Sequence, residues 1–144
     1  MNFSENGSKD LKAIVDTNVI YSALYNPRGT CGRIVLMGVR REIQLFSTDI
    51  VKEELFLNLK RNLGMTNGET SKVISSLPVE WVPKELYSDK IEEALGLIVH
   101  KSDAPTLALA LAIRSPIISG DRHFQTRKVR KKARIFTPQQ FLKK

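Results

Sequence analysis

A three-layer α/β/α domain built on a central parallel sheet is the fold this sequence predicts. Three observations lead there. Short apolar runs such as "AIV", "IQLF" and "PII" alternate with longer stretches of helical periodicity, and that alternation builds parallel sheets covered on both faces. No linker, repeat or low-complexity tract interrupts the 144 residues, so the alternation belongs to one domain. Acidic residues stand where apolar runs stop, as in "AIVDTN" and "IISGD". In open α/β sheets, ligands gather beyond the carboxyl ends of the strands.

The elements follow in chain order. Residues 1–10 are polar and are expected to form a flexible N-terminal extension, with residues 11–144 as the domain. "AIVD" is a short buried strand, and "TNVIYSALY" starts a helix. "NPRGTCG", with Pro27, Gly29 and Gly32, is a loop. "RIVLMGVRR" is helical. "IQLFS" is the second strand, ending at Ser47 and Thr48, either of which can cap the helix "DIVKEELFLNLKRNL". "NGETSKVISSL" is a further helix, entered through a turn at Asn67-Gly68. "VEWVP" is a strand. "SDKIEEALGLIVH" and "SDAPTLALALAIRS" each open on Ser-Asp, a capping pair, and predict two successive helices. "PIIS" is a strand with Pro116 as its first residue, a position proline tolerates. "RIF" is a last short strand and "PQQFLKK" a terminal helix.

Composition narrows the function classes. With 42% hydrophobic and 26% charged residues, the chain suits a folded domain rather than a disordered one. Cys31 is the only cysteine, which excludes an intrachain disulfide and a cysteine-rich zinc site and suits the cytoplasm. No apolar run approaches the roughly 20 residues of a membrane span, and the N-terminus lacks the apolar core of a signal peptide. The net charge of +8 favours a polyanionic partner. From Arg122 to Lys144 the chain carries nine Lys and Arg and no acid. Within that stretch Arg122, Lys128, Arg130, Lys131 and Lys132 are candidates for binding nucleic-acid phosphates. A solvated basic surface is the plainer explanation of the same run.

Four acids are the candidate site. Asp16 and Asp121 follow short apolar strands and meet at one rim if those strands are parallel and central. Asp103 opens an apolar helix, whose positive end favours a carboxylate. On "DIVKEELFLNL" the helical phase puts Glu54 between Ile50 and Leu57 on one side and Val51 on the other, which favours it over Glu53. Each acid also has an ordinary explanation. Asp16 and Asp103 could cap helices, Asp121 could belong to a Ser-Gly-Asp turn, and Glu54 could pair with a lysine on an open helix face. Three Asp residues at junctions flanked by apolar runs weaken those explanations jointly.

Together "AIVDTNVIYSAL", "FSTDIVKEELFLNLKR", "KSDAPTLALALA", "PIISGDRHF" and "ARIFTPQQFL" resemble the PIN-domain family. The likeness is nearest to its small single-domain members, many classed as toxins of toxin–antitoxin pairs, and runs from about Ala13 to Leu142. No one motif is specific; their order, spacing and hydrophobic settings carry it. The resemblance implies a PIN-like sheet and a metal-dependent ribonuclease acting on RNA. Its acids fall on Asp16, Glu54, Asp103 and Asp121, as catalytic groups and ligands of one or two Mg²⁺ or Mn²⁺ ions. Thr17, Asn18 and Ser119 fall where the family often has small hydroxyl or amide residues that orient those acids or bind phosphate. It further implies an antitoxin-type protein inhibitor and a homodimer. Pro116 departs from the small, loop-like residues usual there, and the extension before Leu11 lies outside the pattern.

The chemistry of such a cluster is consistent. Crowded carboxylates repel one another, and hard cations with a preference for oxygen relieve the repulsion. The other constellations are weaker. His100 and His123 form no spaced cluster with cysteine, so no zinc site is expected, and His123 suits the surface. "AIVDTNV" is also similar to haloacid-dehalogenase phosphatases, but Asn18 stands where those carry a second Asp. No Gly-rich phosphate loop is present. Tyr21, Phe46, Phe56 and Trp81 lie in apolar settings that suit a core. A catalytically silent RNA-binding or partner-binding module is the alternative, and it would tolerate loss of the four acids.

Overall fold

The strand β1 (Lys12–Val15) lies in the middle of a five-stranded parallel sheet of order β3-β2-β1-β4-β5. This is a computed structural model that describes residues 11–143; the expected extension over residues 1–10 lies outside the described residues, as does Lys144. β2 (Gln44–Thr48) pairs with β1 through Ala13↔Leu45, and β3 (Val79–Val82) adds beyond it. On the other side β4 (Ile117–Ile118) pairs through Ile14↔Ile117 and Val15↔Ile118, and β5 (Ile135–Phe136) closes the sheet. The chain therefore builds outward from β1 in one direction, then returns to build in the other. The gap between β1 and β4 is the switch point, where such sheets bind ligands.

Alternation along the strands divides the core into two layers. Ala13, Val15, Leu45, Val79 and Ile118 face one apolar cluster, while Ile14, Val82, Ile117 and Ile135 face the other. The first layer holds α1 (Thr17–Tyr25), α2 (Thr30–Val39), α3 (Asp49–Leu63), α4 (Asn67–Ser76) and α8 (Pro138–Leu142). The second holds α5 (Ile91–Leu97), α6 (Ala104–Ile113) and the short α7 (Arg127–Arg130). The three-layer expectation is met. Tyr21, Phe56 and Trp81 pack on the first cluster and Phe46 on the second. No helix among the described residues is long and apolar enough to cross a membrane.

Several local expectations need correction. The loop after α1 is shorter than "NPRGTCG", because α2 already starts at Thr30. Gly32 is buried in its first turn, where a Cβ would lie 2.0 Å from the Pro27 carbonyl oxygen, so the glycine serves close approach rather than a turn. Asn67-Gly68 is the start of α4 and not a turn before it. Thr66 caps the helix and Glu69 returns the bond to the Thr66 amide, a full capping box. Neither Ser-Asp pair caps a helix by its side chains. Each lies in a turn of 3-10 helix, Ser88–Lys90 and Lys101–Asp103. Asp103 has φ −90° and ψ −6°, whereas a side chain that caps needs an extended backbone to turn back on the helix amides. Its carboxylate is thereby released from that duty. The helix expected from Ser88 to His100 is α-helical only over α5. Pro116 precedes β4, yet its carbonyl accepts from the Ile14 amide at 2.8 Å and so continues the ladder.

Candidate active site

The four candidate acids line one cavity of about 410 Å³. β1 ends at Val15 and delivers Asp16 to the rim of the sheet; β4 ends at Ile118 and delivers Ser119, with Asp121 two residues on. α3 supplies Glu54 from one wall, and the turn before α6 supplies Asp103 from the other. The helical phase separates the two neighbouring glutamates: Glu53 lines a different cavity, with Lys52 and Phe56.

Asp16 is held at both oxygens. Oδ1 accepts from the Val19 amide at 3.0 Å, so the capping explanation holds in part. Oδ2 accepts from the Ser119 hydroxyl at 2.5 Å. The same Ser119 oxygen accepts from the Asp121 amide at 3.0 Å, linking the β1 and β4 ends through one buried hydroxyl. Asp121 Oδ1 accepts from the His123 amide at 2.9 Å, which fixes its turn. The Thr17 hydroxyl donates to Glu54 Oε1 at 2.7 Å, while Glu54 itself is exposed. Asn18 is exposed and lines the cavity beside them.

Electrostatics mark Asp16 and Asp103. Burial pushes the Asp16 carboxyl above the ordinary carboxylate range; the Ser119 hydroxyl and the Val19 amide oppose this, and the charges of Asp121 and Asp103 add to it. Asp103 is also raised, first by burial and then by Asp121, with the imidazoles of His123 and His100 pulling it back. Asp103 Oδ2 and His123 Nδ1 are buried and face one another at 3.2 Å, an ion pair off the line of a well-aligned hydrogen bond. Carboxylates kept from water beside like charges fit a divalent cation.

Further residues line the cavity beyond the candidate set. Asn58 and Arg61 reach it from α3. The spacing of Ile50, Glu54, Leu57 and Arg61 by four, three and four residues puts them on one helix face, a signal present in the sequence. His123, expected at the surface, is half-buried between Asp103 and Asp121. Its neighbour in space is His100, with ring centroids 3.8 Å apart. The basic candidates lie beyond the cavity. Arg122 is in a 3-10 turn; Lys128 and Arg130 are in α7, anchored by buried Val129; Lys131 and Lys132 follow it, and all five are exposed.

Three solved structures share this architecture at low identity, a likeness of fold alone. A toxin–antitoxin complex from Klebsiella pneumoniae superposes with TM-score 0.65 at 17% identity, covering 88% of this chain and 97% of that one. VapBC2 from Rickettsia felis, bound to a DNA fragment from its promoter, gives 0.64 at 15%, covering 88% and 98%. FitAcB from Neisseria gonorrhoeae gives 0.62 at 16%, also covering 88% and 98%. No curated protein matches the sequence. The PIN-domain profile matches residues 14–139, from within β1 into α8 and across every element that lines the cavity, and the chain belongs to the PIN-domain family.

Proposed function

We propose that this protein is a metal-dependent endoribonuclease that hydrolyses RNA phosphodiester bonds, acting as the toxin of a toxin–antitoxin pair. The observation that carries the reading is the joining of Asp16, Glu54, Asp103 and Asp121 in one cavity at the switch point of the sheet. A fold scaffold has no need to gather four like charges there, one of them buried. Asp16, Asp103 and Asp121, with Glu54, would hold one or two divalent ions. The all-carboxylate set favours Mg²⁺ or Mn²⁺. When bound, such an ion supplies positive charge that offsets the carboxylates, acidifies water and stabilises the phosphate as charge develops on it.

The chain's own residues have separable tasks. Ser119 and the Val19 amide fix Asp16, and the Ser119–Asp121 link sets the spacing of two acids across strands. Thr17 donates to Glu54, the exposed acid, and would orient it to take a proton from the attacking water. Arg61, on the same wall, suits a phosphate oxygen. The basic segment from Arg122 to Lys132 tracks the RNA backbone beyond the acidic centre.

The toxin role rests on family membership and on the fold shared with the Klebsiella toxin–antitoxin complex. It brings an antitoxin-type protein as partner, and cytoplasmic residence with it. Leu36 and Val39 leave apolar surface exposed on α2, which suits a second copy in a homodimer. A catalytically silent binding module is favoured by one observation, the structural hydrogen bond that Asp16 makes to α1. Incubating the purified protein with structured RNAs and Mn²⁺, Mg²⁺ or EDTA decides. Cleavage that needs the ion supports the nuclease, and cleavage under exhaustive chelation contradicts it. RNA binding without cleavage under any ion supports the silent module.

A further inference from the structure

We infer that His100, Asp103 and His123 form a nitrogen-containing site for a divalent transition ion of the zinc class, at the edge of the acidic cavity. Among the described residues this is the one set of three or more His, Cys, Asp or Glu whose ligand atoms lie within 4.8 Å of one another. The inference goes beyond the nuclease reading; of its three ligands only Asp103 belongs to that reading too.

Two turns of 3-10 helix assemble the set. His100 precedes the turn Lys101–Asp103, and the Asp103 amide donates to the His100 carbonyl at 3.0 Å. The turn brings His100 and Asp103 to the same side of the chain, with their ligand atoms within 4.8 Å. Asp121 caps the second turn, Arg122–Phe124, and buried Phe124 anchors it so that His123 turns toward Asp103.

The spacing of the contacts suits a ligand set. His123 Nδ1 lies 3.2 Å from Asp103 Oδ2 and 2.9 Å from Asp121 Oδ1. Nδ1 and Asp103 Oδ2 are both buried, and the ion pair between them is off the line of a well-aligned hydrogen bond. Two carboxylates converge on one ring nitrogen, so an ion bound there would engage Oδ2 and Nδ1 together. Ligands of a tetrahedral zinc ion, each about 2.0–2.1 Å from it, are about 3.3 Å apart. The Asp103–His123 pair already has that spacing. His100 stacks on His123 with the rings 21° from parallel, so it must turn out of the stack to aim a nitrogen at the same ion. It is exposed, and from 4.8 Å at most it has to close by no more than about 1.5 Å.

The chemistry selects the ion. Two imidazoles and one carboxylate suit zinc, nickel and cobalt, whereas magnesium demands oxygen ligands and keeps its waters. Three protein ligands leave a position open for water or for Asp121. An ion held here would draw Asp103 away from the carboxylate set.

The test uses tag-free protein, because the sequence has only two histidines and its imidazole spectrum therefore has two residues to read. Adding Zn²⁺ while recording imidazole ¹⁵N signals should shift both rings, saturating at one equivalent. His100→Gln and His123→Gln should each weaken Zn²⁺ binding, measured by calorimetry, by at least about tenfold. Melting without metal checks that each variant folds, and exposed His100 keeps the test available if His123→Gln does not. Asp16→Asn should retain Zn²⁺ binding, which separates this site from the carboxylate centre. Imidazole signals that ignore Zn²⁺, a response from one ring only, or unchanged affinity in His100→Gln would overturn the inference. Zinc binding without any RNA cleavage would leave it standing and remove the nuclease reading; the reverse result would do the opposite.

Discussion

Replacing Asp16 by Asn separates a structural from a chemical role, because this residue is placed for both. Asn keeps an oxygen for the Val19 amide, and Asn and Asp are comparable caps, so α1 should lose little. The bond from Ser119 weakens without the charge, at a cost on the order of 1 kcal/mol. Against this stands the burial of the carboxylate, only 9% exposed, and repulsion from Asp121 and Asp103. These outweigh the two bonds, since the net direction is a raised pKa. The metal-free variant should therefore match the parent or exceed it by about 1 kcal/mol, roughly 2–4 °C in Tm.

The pH dependence has a definite sign. A carboxyl raised in the folded state binds more protons there than in the unfolded chain. Its stabilising contribution is complete below the ordinary value of 3.8 and is lost as pH rises through the raised native value. The parent should thus lose more stability over that window than Asp16→Asn, which keeps the raised Asp103 carboxyl but lacks this one. The difference between them should be near zero in acid and complete at neutral pH. Mn²⁺ should raise the parent's Tm more than the variant's, since a bound ligand stabilises by mass action. Thermal melts across pH, with and without Mn²⁺, beside one cleavage assay, are the measurement. A variant that is destabilised at neutral pH, responds normally to Mn²⁺ and still cleaves RNA would refute the reasoning.

Three further outcomes are expected. Thr17→Val removes the tether on exposed Glu54; stability should change by less than about 1 kcal/mol while Mn²⁺ affinity falls about tenfold, and calorimetry would expose an unchanged affinity. Neutralising Lys128, Arg130, Lys131 and Lys132 together should flatten the salt dependence of RNA binding by about 0.7 for each phosphate no longer engaged, with less effect on cleavage at saturating RNA; an unchanged slope would make the segment plain surface. Tyr87→Phe deletes the buried phenol that donates to Asp49, and should cost about 1.5 kcal/mol in denaturant melts with cleavage intact; an inactive but folded variant would mean the second layer matters to the site.

Much of the frame was legible because it is written in local patterns. β1, β2 and β3 are apolar or alternating runs, and α3 is bounded by Thr48, whose hydroxyl caps it, and by Gly64 in the left-handed region. The phase of α3 chose Glu54 over Glu53 for the cavity. The turns at Ser88–Lys90, Lys101–Asp103 and Arg122–Phe124 were not legible, since three residues carry no periodicity. Without its turn, Asp103 has the sequence pattern of a cap. The Ser119–Asp16 bond joins residues 103 apart, and family likeness rather than pattern pointed to Ser119. His100 and His123 give no joint signal because each is a lone residue in sequence; only the fold stacks them.

Single-turnover cleavage of a structured RNA, at saturating protein and Mn²⁺, tests the central claim most directly when the parent is compared with Asp121→Asn. Asp121 lines the cavity and makes one backbone bond that Asn can keep. The account predicts a rate at least about 100-fold lower, some 2.7 kcal/mol of barrier, with RNA affinity unchanged. A rate within a few-fold of the parent's, in a variant that folds and binds RNA, would contradict it.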